Sequence, residues 1–195
     1  MRFRVFRKRK NNESGVAIVE MAIVLPLLIL LVFGIVEYGL LFKEKLTVAS
    51  ATTSAARTGA TMGTRETADI RILEAIEAGL FESVDSSVLI SVQIFSAHPT
   101  TGATIAGKVN TYAFTPGVPC RWTPCPDPED PGFNYGGPWI PAVRDTTLEP
   151  GGGGVEVLGI RVQYHHTSVT NLIPGVDRDL TEIARIRLEP DVFGL

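Results

Sequence analysis

Gly15-Val16-Ala17-Ile18-Val19-Glu20 opens an apolar run that continues as Met21-Ala22-Ile23-Val24-Leu25-Pro26-Leu27-Leu28-Ile29-Leu30-Leu31-Val32-Phe33-Gly34-Ile35-Val36. Between Glu20 and Glu37 stand 16 consecutive uncharged residues. Val16–Val36 is 21 residues, about 32 Å long as a helix at ~1.5 Å per residue. A bilayer's hydrocarbon core is roughly 30 Å thick, so a single pass is the expected arrangement. Upstream, six of the first ten residues are basic: Arg2, Arg4, Arg7, Lys8, Arg9 and Lys10. That flank is expected to stay cytoplasmic and to send everything beyond the span to the far side. An ordinary cleaved signal fits less well. Its apolar region runs roughly 7–15 residues to a small-residue site, whereas Ala49-Ser50-Ala51 lies far downstream of this longer run.

Glu20 is out of place among these neighbours. An ionised carboxylate costs about 2.5–3.5 kcal/mol at the centre of a bilayer and less near a helix end, where the side chain snorkels outward. One reading is a tolerated interfacial glutamate. The other is that Glu20 needs a positive partner. A cut after Gly15 would give Val16 a new α-amino group four residues before Glu20, and a neighbouring subunit's amine would then pair with that carboxylate.

A short basic leader ending in Gly15, an apolar helix, and a glutamate fifth after the cut resemble type IV pilins and pseudopilins. The finer pattern is similar to the TadE-like proteins, minor pseudopilins of the tight-adherence (Flp) pilus systems. It comprises Val19-Glu20-Met21-Ala22, Leu25-Pro26-Leu27-Leu28 and Phe33-Gly34-Ile35-Val36-Glu37-Tyr38-Gly39. Met21 stands where that family often has phenylalanine. The resemblance is strongest over residues 14–63, where Arg57 and Gly59 fit an Ala-Ala-Arg-x-Gly pattern. Weaker patterns return in Ile160-Arg161-Val162-Gln163-Tyr164 and Arg187-Leu188-Glu189-Pro190. The resemblance implies cleavage by prepilin peptidase between Gly15 and Val16. It also implies lateral association with pilins or other pilus-assembly subunits through the helix, with Glu20 against a neighbour's amine. Pro26, which lacks an N–H, is expected to bend the helix and tune that packing.

The remaining composition bounds the alternatives. At 195 residues the chain holds the anchor and one modest domain. After residue 15 there are 12 basic and 20 acidic residues, a net charge of −8. That balance argues against nucleic-acid binding, which needs a basic face.

Beyond the span, Leu40–Met62 continues as helix, rich in Ala, Ser and Thr. Leu46, Ala49, Thr53, Ala56 and Ala60 fall near one stripe, which suits packing on the domain's own sheet or on another helix. Gly63-Thr64 breaks the period. Residues 66–81 read as an amphipathic helix with Ile70, Leu73, Ile76, Leu80 and Phe81 inward, and with Glu66, Asp69, Glu74, Glu77 and Glu82 expected in water. Strands are expected at Val88–Phe95, about Val109–Phe114, Val155–Tyr164 and Leu180–Leu188, with a turn or crossover at Leu172-Ile173-Pro174-Gly175.

Residues 115–154 hold nine of the 13 prolines and eight glycines. Such a stretch is expected to be a long functional or disordered loop without secondary structure. It carries the two cysteines, Cys120 and Cys125, best read as a disulfide on the oxidising side of a membrane. Their spacing is not C-x-x-C and no second ligand pair exists. Trp122, Phe133, Tyr135 and Trp139 serve either as a partner surface or as staples onto the sheet. Asp127, Glu129 and Asp130 match no EF-hand spacing.

No catalytic constellation emerges. His98, His165 and His166 stand near no nucleophile motif, and the adjacent pair points to opposite faces of a strand. Gly151–Gly154 lacks the lysine and the helix of a phosphate loop. No enzyme activity, cofactor or metal is expected. The reading is an α+β chain: a basic cytoplasmic leader (1–15), a transmembrane helix (16–42), and an extracytoplasmic domain (43–195) with a second helix and about four antiparallel strands. It is expected in the cytoplasmic (inner) membrane, with the lipid bilayer, prepilin peptidase and pilus subunits as partners. The alternative is a single-pass envelope protein whose aromatic loop binds a ligand or surface, with Glu20 incidental. A secreted domain released by signal peptidase is a third reading.

Overall fold

The computed structural model describes residues 13–81, 88–147, 154–170 and 175–190. Residues 1–12 of the basic leader, Glu82, Gly151–Gly153 and residues 172–174 of the expected turn lie outside these residues. Helix α1 (Glu13–Met62) is 50 residues long and runs through Pro26 without ending, which makes it about 75 Å long. Helix α2 is Ala68–Phe81, and strands follow as β1 (Leu89–Ala97), β2 (Thr104–Phe114), β3 (Trp122–Thr123), β4 (Val157–His166) and β5 (Arg178–Arg187). They form one antiparallel sheet in the order β3-β2-β1-β4-β5. The fold is α+β, with both helices on one face of the sheet.

The two halves of α1 face different surroundings. From Gly15 to Val36 every residue is exposed except Gly34, which is partly covered. Beyond that, Glu37, Leu41, Val48, Ala51, Thr52, Ala55, Ala56, Gly59 and Ala60 are buried. Their three- and four-residue spacing makes one continuous stripe. It differs from the expected one: Leu46 is 70% exposed and Thr53 is in solvent. The inward stripe is instead set by small side chains, which let α2 and the sheet come close. A Cβ on Gly59 would lie 2.5 Å from Leu158 Cδ2 and 2.7 Å from Ile72 Cδ1, so α1, α2 and β4 meet at a point where only hydrogen fits.

Facing this stripe are Ile72, Leu73, Ile76 and Leu80 of α2, with Val92 and Ile94 of β1, Tyr112 and Phe114 of β2, and Leu158, Ile160, Val162 and Tyr164 of β4. The registers Val92↔Val162 and Ile94↔Ile160 place four of these side by side. Each fully buried aliphatic side chain contributes roughly 1.5–3 kcal/mol. The opposite face is polar: Arg161 Nη1 donates to Gln93 Oε1 at 2.5 Å and lies over the Phe95 ring, which covers Gly159.

The expected antiparallel sheet of about four strands is present and gains a fifth, the two-residue β3 within the proline- and glycine-rich stretch. Two other expectations need correction. First, the described part of that stretch is not without secondary structure: besides β3 it carries a 3-10 turn at Pro141–Val143. It covers the outer edge of β2, where Thr111 N–H donates to Gly136 O at 3.0 Å. Edge coverage of this kind satisfies backbone groups and blocks strand addition. Second, Asp69 and Glu77 of α2 are buried, not solvated. Each is neutralised by a partner supplied from the same stretch.

Candidate functional site: the N-terminal helix and its collar

The free half of α1 carries every residue expected to act in processing and assembly. A Cβ on Gly15 would meet nothing within 4 Å, Val16 is 62% exposed, and Glu20 is exposed. None of the three touches the folded domain. The apolar window of this helix is entirely unburied by the rest of the chain. Pro26 sits inside it, where the absent N–H costs one helical hydrogen bond.

Where the apolar run ends, the domain grips the helix. The Glu37 carboxylate accepts hydrogen bonds from Val169 N–H (2.7 Å), Thr170 N–H (3.2 Å) and Thr170 Oγ1 (3.0 Å), and the Ser168 side chain also bonds it. Two turns on, Glu44 Oε2 lies 2.6 Å from His166 Nδ1 at the end of β4. Lys45 Nζ lies 3.6 Å from Glu182 of β5. These contacts hold the β4–β5 end of the sheet against α1 at the foot of the domain. At the top, Glu189 N–H donates to Ala60 O at 3.1 Å.

The expected disulfide residues are remote from this collar. Cys120 and Cys125 are joined, with Cα atoms 6.0 Å apart. Among the described residues, the group with three ligand-type atoms within 4.8 Å of one another is Cys120, Cys125 and Asp130. Its sulfurs are spent in the disulfide and carry no thiolate charge. Asp127 and Asp130 instead accept local backbone bonds from Glu129 and Gly132. The aromatics divide. Trp122 and Trp139 are buried, while Phe133 and Tyr135 stack edge-to-face at 5.0 Å near the surface.

Trp122 Nε1 donates to Glu77 Oε1 at 2.6 Å, and Arg121 pairs with the other oxygen at 2.8 Å. Burial pushes the Glu77 carboxyl above its ordinary range, and these partners pull it back. Asp69 receives Arg144, Tyr112 Oη (2.5 Å) and Asn110 Nδ2 (2.9 Å), with Arg144 lying 4.7 Å over the Trp139 ring. Burial and the Asp69 charge drive the Tyr112 hydroxyl well above its usual value. The Asp69 group has the composition of a reactive site, yet Asp69, Asn110, Tyr112 and Arg144 are all buried, and the network fastens the loop to α2.

Sequence reasoning passed over Glu37, Glu44, His166, Asp69 and Arg144. Glu37 and His166 left a signal: the first ends the uncharged run, and the second shares the inward face of β4 with Val162 and Tyr164. Residues 15–57 match the family model described as TadE-like protein. The N-terminal helix is TadE-like. The matched stretch covers the free half of α1 and the collar residues Glu37 and Glu44, and it ends before α2. No curated protein and no solved structure matches the chain. The TadE-like match associates the chain with the Tad pilus, and together with the unburied apolar helix it supports a single-pass membrane anchor.

Proposed function

We propose that this protein is a minor pseudopilin assisting assembly of a Flp-type pilus. Prepilin peptidase cuts between Gly15 and Val16 on the cytoplasmic face, leaving the helix in the inner membrane and the domain outside. The protein performs no catalysis of its own. The observation that carries this reading is the division of α1: the half bearing Gly15, Val16 and Glu20 is free of the domain, while the other half is locked to it. A free apolar helix rigidly joined to a head suits lateral packing in a helical bundle. The new amine of Val16 on one subunit satisfies Glu20 of its neighbour. Such head-to-tail contacts are heterologous and propagate as a filament rather than closing a ring. Burial of Trp122 and Trp139 favours the staple role of the aromatic loop over a ligand surface.

Glu20→Ala tests the reading in cells. Membrane insertion should be unchanged or slightly improved, since a carboxylate four residues from the start of the span bears only part of the mid-bilayer cost, while pilus assembly should fall. Normal piliation with the variant at wild-type levels in the membrane would leave the helix as a plain anchor.

A further inference from the structure

Glu37 stands at a depth set by the span. The 16 uncharged residues before it end at Val36, and a helix from Val16 to that point is about as long as the hydrocarbon core is thick. The carboxylate therefore lies at the outer boundary of the bilayer, yet its residue is only 1% exposed. What covers it is the chain after β4, whose Ser168, Val169 and Thr170 all bond the carboxylate. The same bonds fix the height of that loop along α1. At that height the Val169 side chain points away from the protein and is 71% exposed, against 55% for Val143 at the far side of the domain. Tyr38 (49% exposed) and Phe42 (60% exposed) stand on α1 in the adjoining turns, and aromatic residues at this level are the usual markers of a membrane–water interface.

We propose that the segment Ser168–Thr170 after β4 is a second membrane contact, clamped on Glu37 so that Val169 rests in the outer leaflet's interfacial layer beside α1. The occupant is the phospholipid bilayer already required by the span, with which this surface is continuous; the inference rests on that membrane reading. The clamp does two things. Backbone and hydroxyl donors satisfy Glu37, so that no bare carboxylate faces lipid. A contact beside the helix also gives the domain two points of attachment, which fixes its tilt where a single helix would leave it free to lean. The contact is apolar and hydrogen-bonded in character, because the nearby acids Asp177 and Asp179 are engaged by His165.

The test uses the full chain in phosphatidylcholine–phosphatidylglycerol vesicles, with an environment-sensitive fluorophore on one introduced cysteine at a time. The variants are Leu30→Cys in the span, Val169→Cys in the loop and Val143→Cys as a remote control. Nitroxide-bearing lipids should quench the probes at 30 and 169, the latter losing about half its emission for an interfacial depth of ~5–10 Å, and should spare the probe at 143. Quenching at 30 with none at 169 beyond that at 143 would overturn the loop contact and leave the anchor standing. A probe at 30 that escapes quenching would overturn both. Adding Glu37→Ala should lower quenching at 169 toward the control while leaving position 30 unchanged. Undiminished quenching at 169 in that background would overturn the role given to Glu37.

Discussion

Asp69 lies in the first turn of α2 with its side chain wholly out of water, and its charge is met by Arg144 from 75 residues away. Removing one member of a buried pair strands the other, which costs about 3–5 kcal/mol. Asp69→Ala should therefore lower the unfolding free energy of the detergent-solubilised protein by about that amount, read from urea denaturation. The exposed neighbour Glu66→Ala should change it by less than about 0.5 kcal/mol. At the sheet's foot, His165 Nδ1 lies 2.7 Å from Asp179 and Nε2 lies 3.0 Å from Asp177. The Asp179 hydrogen bond, with help from the Asp177 charge, raises the imidazole above its ordinary 6.5. A raised histidine stabilises the fold fully below the unfolded value, and that contribution fades as pH climbs through the folded value. NMR titration should place His165 above 6.5, and Asp179→Asn should bring it back toward that value. Neither pairing was legible in the sequence. The acids of α2 have the spacing of a wet helix face, and nothing local announces that Tyr112, Arg144 or Trp122 will arrive to meet them.

At the scale of elements, legibility followed periodicity. The span is readable from composition alone, and β4 from its alternation. The beginning of β2 was missed because Thr104-Ile105-Ala106-Gly107-Lys108 is exposed or partly exposed throughout and so carries no inward period. β3 spans two residues, too few to show any pattern. The packed stripe of α1 was misplaced because Ala, Ser and Thr occur on all its faces, leaving hydrophobicity a poor guide to which one is inward. Close approach at Gly59 defines that face better. Gly59→Val should overpack the junction with Ile72 and Leu158 and destabilise the protein by about 1–3 kcal/mol. The disulfide closes a small loop, with five residues of sequence separation. In the chain-entropy account this contributes about 2 kcal/mol. The Cys120→Ser, Cys125→Ser double variant should lose about that much in the same denaturation assay while still inserting in membranes.

For the whole molecule, a rigid head is fixed to a bare helix. Glu37, Glu44 and Ala60 each tie the sheet to α1, so any movement of the helix is transmitted to the domain. The stretch that resembles TadE-like proteins covers most of α1, including Glu37 and Glu44, while the sheet lies beyond it. The TadE-like resemblance was accordingly legible in the N-terminal residues, and the head's surface was not. The proposed assembly turns on cleavage after Gly15, because only a free Val16 amine gives Glu20 its partner. N-terminal sequencing of the protein recovered from cell membranes measures this directly. A mature chain beginning at Val16 is the expected result; a chain that still begins at Met1 would overturn the pairing proposed for Glu20.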